Sequence, residues 1–162
     1  IPVTLTKKFI ANSDGLTIQY FLKNESQFDL KGMFVVESNY AQTDFSSVKA
    51  NSYRAGVVAN SVKDELELKD SPRFAKRVTD IQITDTSNDI SFVYTPNDPC
   101  DFVCMPMLFR RPSSSSDTPT IAGNAFVVSL CWNIELEAGK EIEKNITYTI
   151  TIPKKNKKKK KV

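Results

Sequence analysis

The residues of this chain that could bind or act on a ligand are acids, amides and aromatic side chains, because histidine is absent. None of the 162 residues is a histidine, which removes Ser-His-Asp and Cys-His arrangements and every acid–base scheme that uses an imidazole. The five glycines do not form a phosphate-binding pattern. A glycosidase needs two carboxylates that converge on one pocket, and the sequence gives no sign of such a pair. We therefore expect no catalytic residues, no cofactor and no enzyme activity in the isolated chain.

Glu37 and Asn39 are the first candidates for contact with a sugar. They stand at the end of 32–40, a stretch whose alternation predicts a strand. Residues two apart in a strand point the same way and lie about 7 Å from each other. An acid and an amide in that arrangement can hydrogen-bond a polyol, although the same side chains could instead hold the loop that follows.

Three further candidates follow in the polar stretch 41–60. Phe45, Tyr53 and Arg54 stand there among Ser, Asn, Gln and Thr. Aromatic side chains on a loop can stack against sugar rings, or they can clamp the loop to the body of the protein. We expect the five residues together to form a carbohydrate-binding surface.

The three cysteines indicate a reducing environment rather than a disulfide framework. Cys100, Cys104 and Cys131 are odd in number and have apolar neighbours, which is typical of buried free thiols. Cys100 and Cys104 could form half of a metal site, but there is no second pair and no histidine. We expect no bound metal and a cytoplasmic protein, with secretion as the alternative.

Positive charge is concentrated at the C-terminal end. Seven of the 22 Lys and Arg residues lie within 154–162; the other 15 face 19 acidic residues, so 1–153 carries a net charge of −4. A body of that sign does not attract nucleic acid, and no apolar stretch is long enough to span a membrane. We interpret 154–162 as a disordered lysine-rich tail, with phosphate or anionic lipid as its alternative partners. Because the chain opens with Ile1 rather than methionine, we expect either a processed protein or a piece of a larger one, and we favour the piece.

Alternation of apolar and polar side chains predicts strands through most of the chain. We predict hairpins over 3–23, over 78–94, and over 125–152, where Gly139 makes the turn. No long segment has a helical period. The sequence therefore predicts one all-β domain over 1–153, an antiparallel β-sandwich of about nine to ten strands with long loops.

Two strands are expected in the interior of a sheet. The first half of 32–40 is apolar on both faces, and 100–109 is apolar on both faces throughout, so the second should also be covered on both sides. Pro106 cannot donate to a ladder, so we expect a bulge or a strand end there. We predict a connection with one helical turn at 70–76, and we expect Trp132 in the core rather than on the surface as a sugar platform.

Several of these stretches resemble one protein family. The run 16–40, LTIQYFLKNESQFDLKGMFVVESNY, is similar to the start of the C-terminal β-sandwich domain in the 4-α-glucanotransferase and α-amylase group, whose catalytic domain is a (β/α)7 barrel. Three later stretches, 78–94, 102–107 and 127–139, resemble a hairpin, an apolar strand ending near a proline, and the closing strand and turn of that domain. The chain departs from the family pattern at 108–116, so no role is carried over for that segment. The catalytic carboxylates of the barrel have no counterpart here.

The resemblance implies a galactose-mutarotase-like supersandwich that packs against the catalytic domain of the same parent chain. On that basis we expect a non-catalytic accessory domain of an α-glucan-processing enzyme, which braces the barrel and contacts α-glucan. Mutarotase activity would need a histidine, so we do not expect sugar epimerisation. The alternative hypothesis is an immunoglobulin-like interaction or adhesion module without a carbohydrate role.

Overall fold

The computed structural model describes residues 2–41, 48–55, 61–66, 72–111 and 120–152. These residues form eleven strands and no helix. The strands are β1 (Val3–Ala11), β2 (Gly15–Asn24), β3 (Leu30–Ala41), β4 (Val48–Ala55), β5 (Ser61–Leu66), β6 (Arg73–Val78), β7 (Asp80–Asp85), β8 (Ile90–Pro96), β9 (Cys100–Arg111), β10 (Thr120–Leu136) and β11 (Glu141–Thr151). The predicted tail at 154–162 lies outside the described residues.

The strands form two antiparallel sheets packed face to face. The larger has seven strands in the order β1-β2-β11-β8-β7-β4-β5, and the smaller has four in the order β3-β10-β9-β6. The prediction of an all-β antiparallel sandwich is confirmed. Within the described ranges, no helix has the length and hydropathy that crossing a bilayer would require.

Alternation explains the core between the sheets. On β10 every second residue points inward, and Phe126, Val128, Leu130 and Trp132 are all buried. Their partners across the interface come from β2, β7, β8 and β11 and include Tyr20, Leu22, Ile81, Ile83, Tyr94 and Ile146. Trp132 is 4% exposed, so its predicted place in the core is confirmed.

The prediction that 32–40 lies inside a sheet is wrong. β3 forms the edge of the four-stranded sheet among the described strands. The apolar residues on its outward side, Met33 and Val35, are 63% and 43% exposed. A stretch that is apolar on both faces therefore did not indicate a neighbouring strand on each side of β3.

β9 is an interior strand, as predicted, but it is covered on one face. Met105 and Met107 on its outward side are 45% and 47% exposed. Pro106 sits within the strand opposite Phe126, and the irregularity lies on β10, between Gly123 and Ala125. Among the described residues, the pairing of β9 with β6 ends at Cys104 and does not reach Pro106, so Pro106 interrupts no described ladder bond to β6.

Two predicted connections differ from the structure. The hairpin over 125–152 is wrong, because β10 belongs to the small sheet and β11 to the large one. Gly139 does turn the chain there, with a φ of 70°, but the turn carries it from one sheet to the other. The helical turn expected at 70–76 is also wrong, since Arg73–Val78 is strand β6.

A buried amide fixes the passage from β2 in the large sheet to β3 in the small one. Asn24 is fully buried, and its Nδ2 donates to the carbonyls of Phe28 and Leu136 at 2.7 and 3.0 Å. Its Oδ1 accepts from the backbone N–H and the hydroxyl of Ser26. A buried polar group is tolerated when its hydrogen bonds are made, and these tie the loop to the end of β10.

Candidate functional site

The outward side of the four-stranded sheet brings together polar and aromatic groups. On β3, Glu37 and Asn39 both point outward and are exposed. Across the ladder, Ser129 pairs with Glu37 and Val127 pairs with Asn39. Neither Glu37 nor Asn39 hydrogen-bonds another described residue. Within the described part of the chain, the polar groups of both side chains are therefore available to a ligand.

The row through Glu37 continues across all four strands. Ser129 on β10 pairs with Val103 on β9, and Val103 pairs with Phe74 on β6. Phe74 is 68% exposed. We call Glu37, Ser129, Val103 and Phe74 the outer row. Because neighbouring strands lie about 4.8 Å apart, the outer row spans about 14 Å from its acidic end to its aromatic end.

The arrangement suits a sugar chemically. The carboxylate of Glu37 can accept hydrogen bonds from two adjacent hydroxyl groups, and the amide of Asn39 can both donate and accept. The exposed ring of Phe74 offers an apolar face for the C–H side of a pyranose ring. The sequence missed Phe74, because 73–78 lacks the alternation that predicts a strand.

Two of the other predicted residues lie on the other sheet. Tyr53 and Arg54 lie on β4 in the seven-stranded sheet, where Tyr53 is in register with Asp80 and Lys63, and Arg54 is in register with Val62. Phe45 lies outside the described residues. Of the five candidates, the structure brings Glu37 and Asn39 together.

A concave feature lies between the sheets at the end of β3. Tyr40, Phe92 and Tyr148 border a cleft of about 410 Å³, and Tyr40 and Phe92 also border a smaller one of about 220 Å³. The Tyr40 ring stacks on Phe126 with centroids 5.1 Å apart, and its hydroxyl is hydrogen-bonded to that of Tyr94. Burial raises the pKa of Tyr40, since a phenolate is poorly solvated there. The phenol therefore stays protonated and can act as a donor.

An ion pair faces the interior at the opposite end of β11. Lys144 points inward between Ile142 and Ile146, and its Nζ lies 2.7 Å from Asp98 Oδ2. The lysine side chain is 17% exposed. The backbone carbonyl of Asp98 accepts the indole N–H of Trp132 at 3.3 Å. The sequence signal for this pair was a lysine standing at an apolar position of the β11 alternation.

The predicted free thiols are confirmed, with Cys100 and Cys104 buried and Cys131 half-buried. Burial raises the pKa of Cys100 and of Cys104 to about 12. In the described part of the chain, no group of three or more Cys, Asp and Glu side chains is arranged to hold a metal ion.

Neither a protein-family model nor the sequence of a curated protein matches the chain. Several solved structures do match the chain. The chain is similar to a 4-α-glucanotransferase from Thermococcus litoralis, with a TM-score of 0.64 and 15% identity, over 92% of this chain and 18% of that one. It is also similar to a putative aldose 1-epimerase from Escherichia coli K12, with a TM-score of 0.69 and 8% identity, over 93% of this chain and 61% of that one. A galactose mutarotase-like protein from Lactobacillus casei gives a TM-score of 0.63 and 11% identity, over 92% and 63%.

These likenesses overturn the expectation that the chain is not an enzyme. That expectation rested on the missing histidine and on an accessory role beside a barrel. The chain spans 61% and 63% of the lengths of the putative epimerase and the mutarotase-like protein, so the fold itself is no argument against an enzyme. Carboxylates and tyrosines can also transfer protons in place of imidazole. The comparisons support a carbohydrate-related β-sandwich, and the chain has the fold of galactose mutarotase-like proteins.

Proposed function

We propose that the chain is a carbohydrate-binding domain of an α-glucan-processing protein and that it holds glucose units along the outer row. In this proposal it packs against a catalytic domain of the same parent chain and works in the cytoplasm, where its free thiols stay reduced. The shape likeness to a 4-α-glucanotransferase, over 92% of this chain, supports the choice of α-glucan.

The observation that carries the proposal is the outer row itself. It joins the exposed acid Glu37, with Asn39 beside it, to the exposed ring of Phe74. Its span of about 14 Å fits two to three linked hexose units laid across the strands. An open, solvated surface of this kind binds weakly, so we expect a dissociation constant of about 1 mM, or about −4 kcal/mol.

The test is a titration of the labelled protein with maltotriose, followed by NMR. We expect shifted amide signals on β3, β10, β9 and β6. Glu37→Gln should weaken binding about tenfold, because a hydrogen bond to a charged group is worth about 1.5 kcal/mol. Phe74→Ala should weaken it about tenfold.

Two matched variants serve as controls. Glu135→Gln removes an exposed carboxylate that is paired with Lys31 on the same side of the sheet, and Phe28→Ala removes a ring that is 76% exposed elsewhere. Both should bind maltotriose like the unaltered chain. Binding that survives Glu37→Gln and Phe74→Ala would refute the outer row as the site, and no binding at all would refute the function.

A second candidate function is the interconversion of sugar anomers, which the likeness to a putative aldose 1-epimerase suggests. Glu37 favours it, because this exposed carboxylate has no partner among the described residues and could exchange a proton with the ring oxygen or the anomeric hydroxyl. The test is the optical rotation of freshly dissolved α-D-glucose. Acceleration by the chain that is lost in Glu37→Gln would support this function, and a rate equal to that of buffer would refute it.

A further inference from the structure

The edge of the small sheet at β3 lacks the protection that the other sheet edges have. Open edge strands are normally blunted by proline, by charge or by a bulge. β1 follows Pro2 and carries Lys7 and Lys8, and β5 contains three consecutive charged residues in the sequence SVKDEL. β6 has a register shift between Ala75 and Val78, with a φ of 54° at Arg77.

β3 has no proline, no bulge and no consecutive charged residues. It pairs with β10 in an unbroken register over its whole length, from Leu30 opposite Leu136 to Ala41 opposite Ala125. It contains no proline, and within its twelve residues charge is limited to Lys31 and Glu37. Every second N–H and C=O of β3 faces away from β10. This edge is a regular template for one more strand.

The large sheet extends past this edge by one strand. The Phe34 ring on β3 packs against Tyr20 on β2, with centroids 5.6 Å apart, so β3 lies over β2. β1 is the next strand outward, and its inward residues Leu5 and Phe9, in register with Leu22 and Ile18, are 45% and 63% exposed. Their register gives Leu5 and Phe9 the orientation of core residues, but in the described part of the chain no strand lies beside β3 to cover them.

We infer that an extended polypeptide segment from a partner binds here as a fifth strand of the small sheet, pairing with the free edge of β3 and covering Leu5 and Phe9 of β1. The space beside β3, which we call the open lane, is about 4.8 Å wide and admits a single strand. Strand addition of this kind gains affinity from main-chain hydrogen bonds and specificity from alternate side chains. The segment needs apolar residues at alternate positions, with an acid among them opposite Lys7, whose ammonium lies in the lane 5.7 Å from the centroid of the Tyr20 ring.

A second copy of the chain does not fit the open lane. Two β3 strands joined edge to edge would be related by a twofold axis perpendicular to the sheet. The β1 strand of each copy extends beneath that joint, so it would need the space that the other copy's β2 occupies. The geometry therefore selects a lone segment over self-association, and the inference is independent of any sugar on the outward side.

The probe is a synthetic peptide in which Val, Glu, Ile and Val alternate with Thr, labelled at one end with a fluorophore. Its binding is measured by fluorescence anisotropy and located by amide hydrogen exchange. We expect slowed exchange along β3. The double variant Leu5→Ser, Phe9→Ser should bind at least tenfold more weakly, while Met105→Ser, which alters an exposed apolar residue on β9, two strands away from β3, should bind normally.

A peptide N-methylated at alternate residues keeps its side chains but cannot form the ladder, so it should not bind. Circular dichroism checks that the variants fold. We expect them to fold, because the substituted positions are exposed. Equal binding by the double variant, equal binding of the methylated peptide, protection confined to strands other than β3, or no binding at millimolar peptide would each overturn the inference. So would light scattering that reveals a dimer whose interface protects β3.

Discussion

The thiols of Cys100 and Cys104 are held inside the sandwich as protonated groups. They are 2% and 0% exposed, and the pKa of each is raised to about 12 chiefly by burial. A thiolate would lose its hydration there without a cation to replace it. The half-buried Cys131 also has a raised pKa, from burial and from the nearby carboxylate of Asp101. These cysteines are therefore poor nucleophiles and act as small apolar residues.

We expect the free energy of unfolding to fall as the pH rises above about 9. An unfolded thiol loses its proton near pH 8.5, whereas Cys100 and Cys104 keep theirs up to about 12. In that window the unfolded state binds fewer protons, so the stabilisation is complete below the unfolded pKa and is lost as the pH rises towards the folded one. The slope should approach about 1 kcal/mol per pH unit for each thiol.

The measurement is urea unfolding between pH 7.5 and 10 under reducing conditions. The upper limit stops at about pH 10, where an unfolded tyrosine loses its proton, because beyond it Tyr20 and Tyr40, whose pKa values are also raised in the folded state, would add strongly to the slope. Cys104→Ala should have a slope that is smaller than that of the unaltered chain by about 1 kcal/mol per pH unit. A free energy that stays constant from pH 8 to pH 10 would contradict the buried protonated thiols.

Single residues were predictable where a two-residue period governs them. That period placed Glu37 and Asn39 on one face from the sequence, and the structure has them there. Phe74 was not predictable, because its strand carries no alternation and is defined by pairing with β9, distant in sequence. Lys144 was visible as a charge in an apolar series, but its partner Asp98 comes from the turn between β8 and β9, which alternation does not describe.

At the scale of strands, Gly15 controls how closely β2 approaches β11. A Cβ at this position would lie 1.8 Å from the backbone carbonyl oxygen of Tyr148. The backbone N–H of Ile150 donates to the carbonyl of Asp14 at 2.8 Å nearby. The close approach is therefore main chain against main chain, and a side chain can be admitted only by moving a strand.

Gly15→Ala should destabilise the fold by about 3 kcal/mol, because overpacking against backbone separates β2 from β11. Gly32→Ala is the matched control. No atom lies within 4 Å of a Cβ at Gly32, and alanine loses less backbone entropy in a strand, so this variant should be neutral or slightly stabilising. Chemical denaturation measures both. Equal free energies of unfolding for the two variants would contradict the close approach at Gly15.

The sequence predicted which segments are strands better than which strands are neighbours. The hairpins β1–β2 and β7–β8 are present, because a short turn between alternating strands leaves little choice of partner. β10 and β11 alternate just as clearly and are also joined by a tight turn, yet they lie in different sheets. Alternation fixes which face of a strand is buried, not the strand to which it pairs. The apolar residues on both faces of β3 likewise did not show which strands lie beside it, and β3 was wrongly predicted to be interior.

For the whole molecule, aromatic contacts join the two sheets into one cooperative unit. Phe34 of the small sheet contacts Tyr20 of the large one, and it stacks on Trp132 with centroids 5.9 Å apart. Tyr40 joins β3 to β8 through Phe92 at 5.2 Å. Neither sheet can bury its inner face without the other, so the sheets should unfold together.

Urea unfolding should therefore give one midpoint whether it is followed by far-ultraviolet circular dichroism, which reports all strands, or by the fluorescence of Trp132, which reports the interface. Phe34→Leu should lower both midpoints equally, because the lost aromatic contacts serve both sheets. Lys8→Ala, at an exposed position on β1, is a control for the substitution itself. Two separated midpoints would mean that the sheets are independently stable.

The inward ion pair of Lys144 and Asp98 has a consequence for how this chain can evolve. Losing Asp98 would leave the ammonium of Lys144, whose side chain is 17% exposed, without its partner, which is more costly than replacing both residues with neutral groups. Because the backbone carbonyl of Asp98 also accepts the Trp132 indole N–H, a shift of the turn that contains Asp98 would change the packing of Trp132 in the core. Sequence drift at these two positions should therefore be linked, with lineages keeping the lysine and the aspartate or exchanging them together.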